Sequence, residues 1–148
     1  MLSEMRKECE MENAIKKQFD ICKEIGDEAG KKNAIAAHSD FIDGLRAKGD
    51  GYARVYGYVS DSVERGNDYI DVSECIFEKD VPAFADLFKK FGVDRFTFSS
   101  SWSSAVNVAW VFQQNGYKVV GLIEINSPYT NWETDEREKT PAYLLELV

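Results

Sequence analysis

The six residues Ser99-Ser100-Ser101-Trp102-Ser103-Ser104 hold the densest set of chemically capable groups in this chain. They follow a β-rich run, Val93 to Phe98, and precede a helix-forming one. Hydroxyls and unpaired backbone N–H groups gathered at a helix start can hold an anion. Open α/β sheets bind ligands at such a place, beyond the carboxyl end of a strand. Ser99, Ser100, Ser101 and Ser103 are therefore candidate ligand-binding residues for a phosphate or nucleotide. Serine is also the commonest helix cap, and capping is the simpler account; contact with a protein partner is a third. GxGxxG and GxxxxGK[ST] are both absent, so neither a dinucleotide site nor a P-loop is expected.

A nucleophilic serine needs a base and a group to orient that base. The single histidine, His38, lies in an alanine-rich helical run far from the serines in sequence, and GxSxG does not occur. Triad-type hydrolysis is not expected on that ground, His38 is read as a surface or inter-helix histidine, and no catalytic residue is assigned. Carboxylates are plentiful, but none stands in DxD, HExxH or EF-hand spacing. Cys9, Cys22 and Cys75 are odd in number and form no CxxC pair. The expectation is a chain with no metal, cofactor or obligatory disulfide, whose Cys9 and Cys22 act as small apolar residues. Glu124 alternates with Ile123 and Ile125, so it projects to the opposite side of its strand, toward water or toward a cation such as Arg95 or Lys118.

Two acidic tracts offer a different kind of site. The first holds Asp61, Glu64, Asp68, Asp71, Glu74, Glu78 and Asp80 against only Arg65 and Lys79. The second sets Glu133, Asp135, Glu136 and Glu138 beside Tyr129 and Trp132, in a sixteen-residue polar run from 126 to 141 that reads as a loop. Loops of that length are uncommon in compact domains and are often functional. Exposed aromatics among charges are frequent anchors of protein interfaces. A solvated loop with no partner is the plainer alternative.

The elements that must position these groups follow from periodicity. Met11, Ile15, Phe19, Cys22, Ile25 and Ala29 recur at helical steps, with Gly30 as the expected stop. A weaker helix covers 32–47, and the KGDG break at 48–51 follows. Tyr52, Val55, Tyr56, Val59 and Val63 mark a third helix closed by Gly66-Asn67. Tyr69 to Val72 reads as a short strand. A fourth helix is expected to be capped by Asp80, carrying Pro82 in its first turn and Phe84, Leu87, Phe88 and Phe91 on its inner face. Val93 to Phe98 is a strand. A helix with Ala105, Val106, Ala109 and Phe112 inward comes next, then strands at Tyr117 to Ile125 and Ala142 to Val148.

The predicted fold class is α/β. A small mixed sheet in β-α-β-α-β-β order (residues 51–148) carries an N-terminal helical extension (residues 1–50) that docks on the domain or on a second copy. Helical crossovers imply parallel neighbours, and the last strand should run antiparallel. Phe84, Leu87, Phe88, Phe96, Phe98, Trp102 and Trp110 are the expected core, with one tryptophan at the surface as the alternative.

Hydrophobic residues make up 44% of the 148, enough for a real core, and no apolar run is long enough to span a bilayer. The charged N-terminus does not read as a signal peptide, so a cytoplasmic protein without membrane contact is expected. The net charge is −8, of which 1–50 supplies −2 (9 basic, 11 acidic) and 51–148 supplies −6 (9 basic, 15 acidic). Phosphate binding relies on clustered Lys and Arg, so direct nucleic-acid binding is not expected. A basic protein surface suits this charge better, although acidity also serves solubility alone.

The run FTFSSSWSSAVNVAWVFQQNGYKVVGLIEINS (96–127), with PAYLLEL (141–147), resembles a family of small, functionally unassigned proteins found in conjugative elements and prophages of Firmicutes. The resemblance covers roughly 51–148 and rests on Phe96, Ser99, Ser100, Trp102, Ser103, Ser104, Trp110, Gly121, Glu124, Ile125 and Asn126. It implies a mobile-element setting, where accessory proteins often disarm host defences, and brings no catalytic residues with it.

The expected function is a non-enzymatic inhibitor of a nucleic-acid-processing host protein, of anti-CRISPR or antirestriction type, with carboxylates occupying a basic channel and Tyr129 and Trp132 as anchors. A nucleotide- or small-molecule-binding domain at Ser99–Ser104 is one rival. A structural protein dimerising through residues 1–50 is the other.

Overall fold

A computed structural model describes residues 2–73, 77–100 and 103–148. Within the chain lie two compact units, one ending at Gly57 and the next beginning at Tyr58. No helix among the described residues is long and apolar enough to cross a membrane.

The first unit is helical: α1 (Leu2–Ile25), α2 (Glu28–Ala47) and the first half of α3 (Asp50–Arg65). The expected stop at Gly30 falls four residues late. Gly26, at φ 74°, already adopts the left-handed conformation that ends a helix, and Asp27 starts the next by accepting the Gly30 N–H at 2.9 Å. Gly30 thus lies in the first turn of α2. The expected apolar stripe of α1 is also rotated. Met5, Cys9, Glu12 and Cys22 are buried, whereas Met11 and Ile25 are exposed. Glu12 is tolerated inside because its oxygens accept from Tyr56 (3.1 Å) and meet His38 Nε2 (3.1 Å). Its neighbour one turn back, Glu8, accepts from Tyr52 at 2.9 Å and from Lys48. Burial, and then Glu12, push the Tyr56 phenol well above its ordinary range; burial does the same to Tyr52, helped by Glu8.

The second unit is the mixed α/β domain expected from the sequence. Strands β1 (Ile70–Ser73), β2 (Arg95–Ser99), β3 (Tyr117–Thr130) and β4 (Arg137–Leu147) form one sheet in the order β1-β2-β4-β3. β1 and β2 are parallel, and β4 runs antiparallel to both β2 and β3. The helical crossover α4 (Val81–Lys90) joins the parallel pair, and α5 (Ala105–Gln114) leads into β3.

Phe96 centres the core on one sheet face. Its ring meets those of Phe88, Phe112 and Tyr117, each with centroids 5.0 Å away. The Tyr117 hydroxyl donates to the Val93 carbonyl at 2.6 Å, and burial pushes its pKa up to about 12. Phe98 joins this face, and Phe84 and Leu87 are half-buried at its margin. Trp110 does not: it is 59% exposed, and its neighbour one turn back, Val106, is exposed too, because α5 directs Val108, Ala109 and Phe112 inward. Trp102 lies outside the described residues.

Two further expectations change. Asp80 makes no side-chain cap bond to α4; it closes a short 3-10 turn, Glu78–Asp80, and accepts from the Phe77 N–H at 3.4 Å. The sixteen-residue loop is mostly strand. β3 runs on to Thr130 and β4 begins at Arg137, so only 131–136 form the turn. Backbone pairing does not depend on side-chain polarity, and each strand supplies the other's partners. Pro141 fits because it pairs with Glu124, whereas β2 pairs with β4 only from Tyr143 onward.

Candidate functional site

The parallel register of β1 and β2 sets Asp71 beside Thr97 and Ser73 beside Ser99, all on the face opposite Phe96. Asp71 is buried, and three donors converge on it: Thr97 Oγ1 at 2.7 Å, Ser99 Oγ at 2.9 Å and Arg65 Nη1 at 2.8 Å. The same guanidinium pairs with Asp61 one helical turn back. Asp71 thus ties the end of α3 to both parallel strands. It does not belong to the acidic surface tract predicted for it, because burying a carboxylate requires the partners this network provides. Thr97 and Arg65 carry no motif, and only the packed sheet reveals their part.

Asn126 holds the base of the β3–β4 hairpin against the same helix end. Its backbone N–H donates to Asn67 Oδ1 (2.8 Å), its carbonyl accepts from Asn67 Nδ2 (3.0 Å), and its side chain donates to the Arg65 carbonyl (2.8 Å). Gly66, at φ 72°, makes the turn that brings Asn67 there. Arg137 adds a link: it donates to the Pro128 carbonyl at 3.2 Å and lies 3.6 Å from Glu64. Glu64, in the last turn of α3, therefore stands beside a hairpin some seventy residues later in the chain, and Asp68, just past the helix, borders the same hairpin base with Asn126 and Lys139, whereas Asp61 is paired with Arg65. Glu78 is exposed in the 3-10 turn, and Glu74 lies outside the described residues.

The hairpin tip is a defined turn. Asn131 N–H donates to the Glu136 carbonyl (2.7 Å), Asp135 N–H to the Asn131 carbonyl (2.8 Å), and Glu133 N–H to Asn131 Oδ1 (2.9 Å). Trp132 is 88% exposed on this turn and Tyr129 is 56% exposed at its base. Glu133, Asp135, Glu136 and Glu138 are exposed, and no ion pair to them occurs among the described residues. The cations nearest in sequence are committed elsewhere: Arg137 as above, and Lys139 to the side chain of Asn126.

The serines separate. Ser99 turns its hydroxyl inward to Asp71, Ser103 is exposed in the turn before α5, and Ser101 lies outside the described residues. Ser104 occupies the N-cap of α5 without a side-chain cap bond, so capping does not account for it. Ser99 and Ser100 do border a cleft of about 450 Å³ beyond the carboxyl ends of β1 and β2, whose other walls carry Ser73, Ser127, Thr140, the opposed charges of Glu138 and Lys139, and the ring of Tyr129 between two prolines. His38 is engaged by Glu12 in the helical unit. No group of three or more His, Cys, Asp or Glu that could hold a metal occurs among the described residues. Glu124 is exposed, on the water side of its strand.

A four-stranded mixed sheet with its helical crossover and a long two-stranded hairpin defines a small α/β domain. The chain belongs to the family described as a domain of unknown function (DUF7698), whose model matches residues 54–147. No curated protein and no solved structure matches the chain.

Proposed function

We propose that this chain is a non-enzymatic accessory protein that binds and blocks a basic, nucleic-acid-binding surface of a host protein. The observation that carries the reading is the hairpin tip, where a nearly fully exposed tryptophan sits on a hydrogen-bonded turn beside four exposed carboxylates that form no ion pair among the described residues. Large apolar side chains left in water beside unneutralised charge are costly for a surface with no partner, and they are the usual centre of an interface. Glu64, 3.6 Å from Arg137, and Asp68 add carboxylates at the hairpin base, with Asp61 one turn back on α3. The setting that fits is a mobile genetic element in the bacterial cytoplasm, with a nuclease or restriction-type defence protein as target. The test is capture of a target from host lysate by the wild-type chain, followed by binding kinetics against the Trp132→Ala variant and against lysine replacements at the four hairpin carboxylates. Retention of full affinity by both variants rejects the hairpin as the contact.

A second reading is favoured by the cleft beside Ser99 and Ser100, where Ser73, Ser127, Thr140, Lys139 and Glu138 set polar groups beside the ring of Tyr129, a lining that suits a small polar ligand such as a nucleoside. Thermal-shift screening of the full chain against nucleosides and nucleotides distinguishes the two, since only this reading expects a stabilised midpoint.

A further inference from the structure

The cleft beyond the carboxyl ends of β1 and β2 has a floor and a rim of different chemistry. Ser99 and Ser127 are buried and form the floor, and each has already spent its hydroxyl proton. Ser99 Oγ donates to Asp71 at 2.9 Å. Ser127 Oγ donates to the Tyr129 carbonyl at 3.2 Å and accepts from the Tyr129 N–H at 3.0 Å. A hydroxyl has one proton and two lone pairs, so both floor oxygens can only accept from a ligand. At the rim Glu138 is exposed and forms no ion pair among the described residues; ionised, it too only accepts. The Tyr129 ring adds a flat apolar wall.

Charge selects in the same direction. Lys139, the one cation among the described lining residues, already donates to Asn126 Oδ1. Behind the floor, Asp61 and Asp71 share the single guanidinium of Arg65, which leaves one negative charge in excess. Ser103 and Ser104, before α5, do not line the cleft, so its hydroxyls are not gathered at that helix start.

We propose that this cleft takes an uncharged nucleoside bearing an exocyclic amine and turns away the corresponding phosphate, an inference that rests on the ligand-site reading above. The base stacks on the Tyr129 ring, the amine donates to the floor oxygens, and the ribose diol donates to Glu138. A phosphate brings only acceptors and negative charge to a lining that already holds both. The volume of about 450 Å³ lies within the range of about 300–1,000 Å³ usual for small-molecule sites.

The experiment is isothermal titration calorimetry of the full chain with adenosine, adenosine 5′-monophosphate, inosine and glucose, with circular dichroism to confirm that each variant is folded. Adenosine should bind, and the monophosphate should bind at least about tenfold more weakly. Inosine, which carries a carbonyl in place of the amine, should also be weaker. Glu138→Gln should weaken adenosine at least about threefold while narrowing the gap to the monophosphate, opposite responses that a change in packing alone would not produce. Tyr129→Ala should weaken adenosine and the monophosphate alike. Both replaced side chains are exposed, so neither variant removes core. A monophosphate that binds as tightly as adenosine, or glucose that binds more tightly, overturns the inference and leaves the ligand-site reading standing. Adenosine affinity unchanged by Glu138→Gln overturns it in the same way. Binding by none of the four overturns both.

Discussion

Arg65 donates to Asp71 across 2.8 Å with both side chains withdrawn from water, so that the last turn of α3 is locked to the first strand of the sheet. Thr97 and Ser99 supply the other donors, which is why the carboxylate is stable there. The Nε of Arg65 is the one atom of the pair that is buried without a partner among the described residues. The lock also fixes what Asn67 and Asn126 hold, the base of the hairpin.

Breaking this lock from either side should be expensive. Asp71→Ala leaves a buried guanidinium short of its counter-ion and should destabilise the domain by about 3–5 kcal/mol. Urea denaturation followed by tryptophan fluorescence measures it. Glu64→Ala, at an exposed pair with Arg137, should change stability by less than about 1 kcal/mol.

Phe96 and Trp110 should separate sharply. Phe96→Ala empties the centre of the ring cluster and should cost about 3–5 kcal/mol. Trp110→Ala, at an exposed position, should stay within about 0.5 kcal/mol. Equal denaturation midpoints for the two variants would show that the cluster is not the core.

The hairpin should divide affinity between two rate constants. Lysine at Glu133, Asp135, Glu136 and Glu138 should slow association with the captured partner and reverse its salt dependence, because exposed charges steer encounter. Trp132→Ala should leave association nearly unchanged and shorten the lifetime of the complex. Surface plasmon resonance at two salt concentrations resolves both effects.

Alkaline pH should loosen the helical unit. Burial raises the phenols of Tyr52 and Tyr56 above their ordinary value of 10.0. The folded state therefore holds these protons more tightly than the unfolded state does. That stability is fully present below pH 10.0 and is lost as the pH rises beyond it toward the folded values. Helical circular dichroism should fall in that range, and Tyr56→Phe should flatten the dependence while lowering stability at neutral pH, because Glu12 loses a donor.

Periodicity and composition alone determined the mixed α/β class, the order of helices and strands, and the aromatic residues around Phe96, and they set Glu124 on the side of its strand opposite Ile123 and Ile125 without deciding whether that side meets water. These follow from local rules, in which a side chain's polarity and its spacing decide which way it faces. Tertiary structure decided the rest. The run 126–141 has the composition of a loop, and all of it but the turn at 131–136 became strand because the two halves pair with each other. Asp71 has the sequence context of a surface acid, and it became an internal brace because Arg65, Thr97 and Ser99 meet only after α3, β1 and β2 pack. Glu12 and Met11 exchanged their expected places on α1 because Tyr56 and His38 offered the carboxylate hydrogen bonds. In each case the deciding partner lies on another element, and one-dimensional spacing carries no information about a donor that only folding brings within 3 Å.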